Sequence, residues 1–118
     1  LPLSRGLGDV YKRQIMKQLN GGKQMKDVWR FTSPKKSEKE EGKHPTQKPI
    51  QLLDYVLKSS TNKGDLVLDP FSGSGTTGVA SIINKRKFIG IEKEKKYCEL
   101  SVKRFKKNLT KNLFSYND

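Results

Sequence analysis

Apolar positions are unevenly spread along this 118-residue chain: sparse before residue 45, then regular from Pro49 onward. Ile50, Leu53, Val56 and Leu57 recur at spacings of three and four, which predicts a helix to about Ser60, with Pro49 suited to its first turn. Asn62-Lys63-Gly64-Asp65 predicts a turn, and Leu66-Val67-Leu68 predicts a short strand buried on both faces, ended by Asp69-Pro70. The Gly-rich run Phe71 to Gly75 leads into Thr76-Thr77, which can cap a helix whose inner face is Val79, Ile82 and Ile83. Asn84 to Lys87 closes that helix, and Phe88-Ile89-Gly90-Ile91 predicts a second strand ending at Glu92. A last helix from about Glu94 to Leu109 sets Cys98, Val102, Phe105 and Leu109 on one stripe. Strand, crossover helix and strand in this order predict an α/β fold, the start of a doubly wound parallel sheet.

Residues 15–44 have no such periodicity. They are Lys-rich, with Gly21-Gly22 and Ser33-Pro34 as breakers and a charge-mixed run from Lys35 to Lys43, and they read as irregular structure. Val28, Trp29 and Phe31 offer apolar anchoring, and this segment is expected to pack against something outside the chain. Packing is also the favoured role of Trp29, ahead of stacking on a base. Ser4 to Gln14 has the sequence of an in-frame translation of a DNA similar to a transposase-based sequencing-library adapter. Residues 1–14 are therefore set aside from fold reasoning as an expected reagent read-through, as a fusion scar would be.

Charge sharpens the choice of partner. Lys and Arg number 25 against 12 Asp and Glu, a formal charge of +13, and the balance is still +11 without residues 1–14. Such an excess attracts polyanions through counterion release, with nucleic acid the leading class. A lone Cys98 cannot form an internal disulfide, no apolar run reaches the ~20 residues of a membrane helix, and a reducing, cytoplasmic setting is expected. His44 is the only histidine, and neither it nor Cys98 reads as a metal ligand or nucleophile.

The loop Asp69 to Gly78 lies between a buried strand and a helix, where ligands of open α/β sheets bind, and Glu92 ends the next strand where it could accept ribose hydroxyls. A phosphate-binding P-loop needs Gly-Lys-Ser/Thr, and no Lys occurs between Asp69 and Asn84. Gly73-x-Gly75-x-x-Gly78 does fit the dinucleotide fingerprint, so a NAD- or FAD-binding domain is one alternative. A basic nucleic-acid-binding module without enzymatic chemistry is another. Against the dinucleotide stands Asp69, a carboxylate at the strand tip that would repel a pyrophosphate and attract a cation. S-adenosylmethionine carries a sulfonium and an ammonium and has no phosphate, which suits an acid beside the loop.

His44-Pro45-Thr46-Gln47-Lys48-Pro49, then Asp69-Pro70-Phe71-Ser72-Gly73-Ser74-Gly75-Thr76-Thr77, then Phe88-Ile89-Gly90-Ile91-Glu92 followed by Tyr97, closely resembles the N4-cytosine/N6-adenine DNA methyltransferase family over about residues 26–105. The resemblance implies part of a Rossmann-like S-adenosylmethionine-dependent methyltransferase fold. It implies that Thr46, Gln47 and Lys48 cap the methionine end of the donor. Asp69, Pro70, Phe71, Ser72, Gly73, Ser74, Gly75 and Thr76 would form the pocket floor, and Glu92 would hold the ribose. Lys48 has a physical reason as well, because the methionine carboxylate needs a cationic or amide donor nearby.

Such enzymes flip the target base and grip its exocyclic amine with an Asp/Asn/Ser-Pro-Pro-aromatic segment, and this chain contains no Pro-Pro pair. The resemblance thus implies a C-terminal piece, from the arrangement in which the cofactor half comes last, inactive alone and without catalytic residues of its own. Residues 15–44 would be the trailing edge of the target-recognition region, 45–110 the donor-binding subdomain and 111–118 a polar tail. That edge favours N6-adenine over N4-cytosine as the target. The resemblance further implies double-stranded DNA as partner, no membrane, and a restriction–modification setting with a cognate endonuclease.

Overall fold

In the computed structural model of the protein, which describes residues 2–115 with side chains from Tyr11 to Asn112, two short strands pair in parallel. β1 (Leu66–Asp69) lies beside β2 (Lys87–Gly90), with Leu66 opposite Lys87 and Asp69 opposite Gly90. Helix α3 (Thr76–Ile83) is the crossover between them, α2 (Ile50–Ser60) precedes the pair and α4 (Lys95–Ser115) follows it. The expected order of helix, strand, helix, strand and helix is therefore the observed one. α3 packs against α2, α4 and β2. Asn84 ties it to α2 by donating to Asp54 Oδ1 (2.7 Å), and the Phe105 ring of α4 meets Phe88 of β2 edge-on.

Several details depart from the pattern along the sequence. β1 is not buried on both faces: Leu66 and Leu68 are each 61% exposed and Ile89 is 51% exposed, whereas Val67 and Phe88 are half-buried. Among the described residues helices cover only the Val67–Phe88 side, so the other face of the pair is bare and apolar.

Neither Thr76 nor Thr77 caps α3. The N-cap is Gly75, left-handed at φ 79°, and both threonines lie in the first turn with their hydroxyls turned to other partners. The inner face of α3 is Thr76 and Gly78 to Ser81, with Ile82 half-buried and Ile83 exposed. The helix is gripped from two sides, and small residues serve the close approach. A Cβ at Gly78 would run into the Phe105 ring.

The buried stripe of α4 is Leu100, Ser101 and Arg104, while Cys98 and Phe105 are half-buried and Val102 and Leu109 exposed. The helix is turned so that Ser101 and Phe105 meet Gly75. It also continues to Ser115, so residues 111–115 of the expected polar tail are helical, and 116–118 lie outside the described residues.

Residues 15–44 are less irregular than expected. α1 (Pro2–Leu19) crosses the boundary at residue 14 and packs against α2, and a 3-10 turn forms at Lys36–Lys39. Trp29 and Phe31 both meet the Tyr55 ring of α2 edge-on, with centroids 4.9 and 5.7 Å apart. Those two anchors thus have a packing partner within the chain. Val28 stays exposed.

Among the described residues the buried apolar side chains are Leu57, Val79, Ala80 and Leu100, and buried polar residues outnumber them. Of these, Gln47, Ser74, Thr76, Ser101 and Arg104 surround the glycine loop. Polar burial is costly unless the groups are paired, so its concentration here marks the loop as the chemically specialised part of the fold. No helix among the described residues is long and apolar enough to cross a membrane.

Candidate functional site

The loop that leaves β1 is closed on itself by its own acid. Asp69 Oδ1 accepts the Phe71 N–H (3.0 Å) and Oδ2 accepts the Thr77 hydroxyl (2.7 Å), so one carboxylate ties the start of the loop to the first turn of α3. Glu92 does the same from β2: Oε2 accepts the Gly73 N–H (2.7 Å) and Oε1 the Glu94 N–H (2.9 Å). The Glu94 amide foremost, with those of Gly73 and Lys93 and the nearby His44, holds the Glu92 carboxyl below its ordinary value against the opposing effect of desolvation. The Ser72 N–H donates to the Ile91 carbonyl and the Gly75 N–H to the Ser72 carbonyl, both at 2.9 Å. Gly73 (φ 56°) and Gly75 (φ 79°) supply the left-handed turns.

The amides of Phe71, Ser72, Gly73 and Gly75 are therefore spent inside the loop and its neighbours, two of them on carboxylates. Anion-binding loops present such amides to the ligand. This one presents acid, and the arrangement suits a ligand carrying positive charge.

A strap from His44 to Lys48 runs over the loop. His44 Nδ1 accepts the Thr46 N–H (3.1 Å) while its ring lies 4.1 Å, centroid to centroid, from Tyr97. Gln47 is buried. Its Nε2 donates to the Glu38 carbonyl (2.9 Å), and the Glu38 carboxylate in turn accepts the Ile50 N–H at the start of α2 (3.0 Å). Upstream, Lys107 of α4 pairs with Glu40 and Glu41, which fastens the approach to the strap.

Between strap and loop is a cleft of about 170 Å³. Its walls bring together Thr46, Gln47 and Lys48 with Asp69, Phe71, Ser72, Gly73, Ser74 and Thr76, nine of the twelve expected positions. Lys48 is exposed and Phe71 89% exposed at the rim. Three expected residues are not in these walls. Pro70 is exposed, Gly75 is packed beneath the loop against Ser101 and Phe105, and Glu92 lines a second hollow of about 240 Å³ beside Phe88 and Cys98, with Ser72 shared by both spaces. Gln47 contributes to a wall of the first cleft, and its Oε1 is a buried acceptor without a hydrogen-bond partner.

Sequence reasoning missed Thr77, which completes the Asp69 tie, and Arg104, whose Nη1 lies under the loop and donates to the Ser74 carbonyl (2.7 Å), Ser74 Oγ (3.0 Å) and Thr76 Oγ1 (3.1 Å). Burial pushes the Arg104 guanidinium below its ordinary value, and the Glu38 carboxylate acts in the opposite direction. The signal for Thr77 was a hydroxyl one turn after an acid-tipped strand. For Arg104 it was the small Ser101 three positions before it, since a helix docking on glycines turns its small side inward.

Comparison with known proteins bears on the whole assembly. The profile of a family described as DNA methylase matches residues 7–103. The chain is 54% identical over 95 residues to the type II methyltransferase M2.MboI of Moraxella bovis, covering 80% of this chain and 35% of that protein. It is 42% identical over 94 residues to the DNA adenine methyltransferase YhdJ of Escherichia coli (strain K12), covering 80% and 32%. Among solved structures, the M1.HpyAVI–SAM complex matches with a TM-score of 0.52 and 53% identity over 52% of this chain and 30% of that one. The chain spans about a third of the length of the curated relatives it matches.

Proposed function

The chain belongs to the N4-cytosine/N6-adenine DNA methyltransferase family, and on that footing we propose that it is the donor-binding part of an enzyme that moves a methyl group from S-adenosylmethionine to the N6 amine of adenine in double-stranded DNA. The observation that carries this reading is the acid at the loop: Asp69 and Glu92 take the Phe71 and Gly73 amides, and Asp69 sets a carboxylate in the cleft wall, which disfavours a pyrophosphate and favours a cationic ligand. Thr46, Gln47 and Lys48 line the same cleft, where they would meet the methionine end of such a donor.

When bound, the donor supplies an electrophilic methyl on a sulfonium, which the amine of a base can take. This chain's own residues bind and orient. Asp69 sets a negative potential at the tip of β1. Lys48 offers its charge to the carboxylate, and Thr46 and Gln47 close the strap above. Glu92 holds the loop through Gly73 and keeps lone pairs for ribose hydroxyls. Phe71, Ser72, Gly73, Ser74 and Thr76 floor the cleft, with Pro70 and Gly75 shaping the turn.

Residues 45–110 form the donor-binding unit in this reading, and 15–44 the edge of a DNA-contacting region that draws on the net positive charge. Adenine is favoured by the likeness to a relative named as an adenine methyltransferase. Type II relatives favour a cytoplasmic restriction–modification setting with a cognate endonuclease.

Calorimetry with S-adenosylhomocysteine and with NAD tests the reading. Saturable binding of the first and none of the second is expected, and the reverse would overturn it. Joined to the upstream part of the Moraxella relative, the chain should yield N6-methyladenine on digestion of the modified DNA, and N4-methylcytosine would reassign the base.

A further inference from the structure

An arginine that is only 4% exposed, lies under a ligand loop and has no carboxylate in contact calls for a reason. Burying a charge costs several kcal/mol unless hydrogen bonds compensate it. Arg104 Nη1 spends its donors on the Ser74 carbonyl, the Ser74 hydroxyl and the Thr76 hydroxyl, while Nη2 is buried without a partner. An apolar residue would fill this space without that cost. The contacts all fall on the segment Ser74 to Thr76, which connects the left-handed Gly73 to the start of α3, and Thr76 passes the connection on by donating to the Lys48 carbonyl of the strap (3.3 Å).

Arg104 thus reaches both walls of the cleft, the floor directly and the strap through Thr76, without lining the cleft itself. Ser101, one turn earlier on α4, adds a weaker tie: its hydroxyl is shared between the Tyr97 carbonyl (2.8 Å) and the Gly73 carbonyl (3.1 Å). These bonds draw the Gly73 and Ser74 carbonyls toward α4 and fix the peptide planes on either side of Ser74.

We propose that Arg104 is a positioning residue for the donor: from beneath the glycine loop its guanidinium holds Ser74 and Thr76 in the binding-ready conformation, so that α4 sets donor affinity without touching the ligand. This rests on the donor-binding reading above. A residue that only stabilised the fold would lower melting temperature and leave the affinity of the folded molecules unchanged.

The test uses the full 118-residue chain and its Arg104→Lys and Arg104→Gln variants, with S-adenosylhomocysteine as probe and amide hydrogen exchange at Gly73 and Gly75 as a ligand-free readout. Lys keeps the charge on a shorter, unforked head, and Gln keeps a planar amide donor without charge. Expected is at least a tenfold loss of affinity in Arg104→Lys at a temperature where circular dichroism is unchanged, with exchange at the two glycines at least tenfold faster. Arg104→Gln should lose at least as much in exchange as Arg104→Lys, because its amide ends two bonds short of the Nη1 position and cannot reach the Ser74 carbonyl. Unchanged exchange in a folded variant overturns the proposal, as does affinity that falls only with the folded fraction, or failure of both variants to fold. Should the unsubstituted chain not bind the probe, the donor reading fails, and the exchange rates still decide whether Arg104 holds the loop.

Discussion

Replacing Asp69 by Asn separates the two things its carboxylate does. In the structure both oxygens are engaged, Oδ1 with the Phe71 amide and Oδ2 with the Thr77 hydroxyl. Asn keeps an acceptor for the amide and turns an NH₂ toward Thr77, whose oxygen can accept, so two bonds survive and only their charge is lost. A hydrogen bond to a charged group contributes about 1.5–3 kcal/mol and a neutral one about 0.5–1.5, so the loop should lose roughly 1–3 kcal/mol of local stability. Loss of the negative potential facing a cationic ligand costs on the order of 1.5–3 kcal/mol more, which weakens binding about ten- to a hundredfold. Thr77→Val is the control, because it removes one arm of the brace and leaves the charge. Calorimetry with S-adenosylmethionine and with its uncharged-sulfur product adds a second discriminator. A carboxylate acting on the sulfonium makes Asp69→Asn harm the donor more than the product, whereas action on the ammonium harms both alike. Donor affinity unchanged in Asp69→Asn, or reduced no further than in Thr77→Val, refutes the electrostatic reasoning and leaves Asp69 as a brace alone.

Three further outcomes are expected. The Glu92 carboxyl lies below its ordinary value of 4.5 in the folded chain, so its contribution to stability is complete above that pH and is lost as pH falls through the folded value. A stability-against-pH titration should show that acid limb flattened in Glu92→Gln, and identical limbs would mean that the loop does not feel the carboxylate. The bare face of Leu66, Leu68 and Ile89 should make the chain self-associate at tens of micromolar, as read by sedimentation, with Leu68→Lys shifting it toward monomer. A monodisperse monomer of the unsubstituted chain would show that the exposed strands are tolerated. Because the chain contains no Pro-Pro pair to grip a flipped base, it should transfer no labelled methyl to unmethylated DNA, and incorporation above a heat-killed control would contradict this.

The elements were legible in the sequence because each carries its own period. Four apolar positions at helical spacing announce α2, and the short apolar runs around Val67 and Phe88 announce the strands. The faces were less legible, for a shared reason. Periodicity reports which side of an element is apolar, and in this chain the apolar side is not always the covered side. Leu66 and Leu68 read as buried because a parallel strand is ordinarily covered on both faces, yet the described helices cover one. Along α4 the apolar stripe Cys98, Val102, Phe105 and Leu109 lost to its neighbour Leu100, Ser101 and Arg104. Close docking on Gly75 and Gly78 demands small side chains and rewards a polar one that can reach the loop.

The site divides along the same line. Asp69, Glu92 and the glycines were legible from position alone, since strand ends of an open α/β unit face the ligand whatever their side chains do. Their hydrogen bonds were not legible, and those bonds decide the chemistry. The glycine spacing fits a dinucleotide as well as a methyl donor, and the fingerprint assumes free amides pointing at phosphate. Once the Gly73 amide is seen to end on Glu92 and the Phe71 amide on Asp69, the same glycines have another purpose. They let the chain turn tightly enough for two carboxylates from adjacent strands to close over one loop. What distinguishes the two ligand classes is therefore neither the glycine pattern nor Glu92, which a dinucleotide site shares at the end of its second strand, but Asp69 at the tip of β1, whose carboxylate takes the Phe71 amide and sets negative charge in the cleft wall.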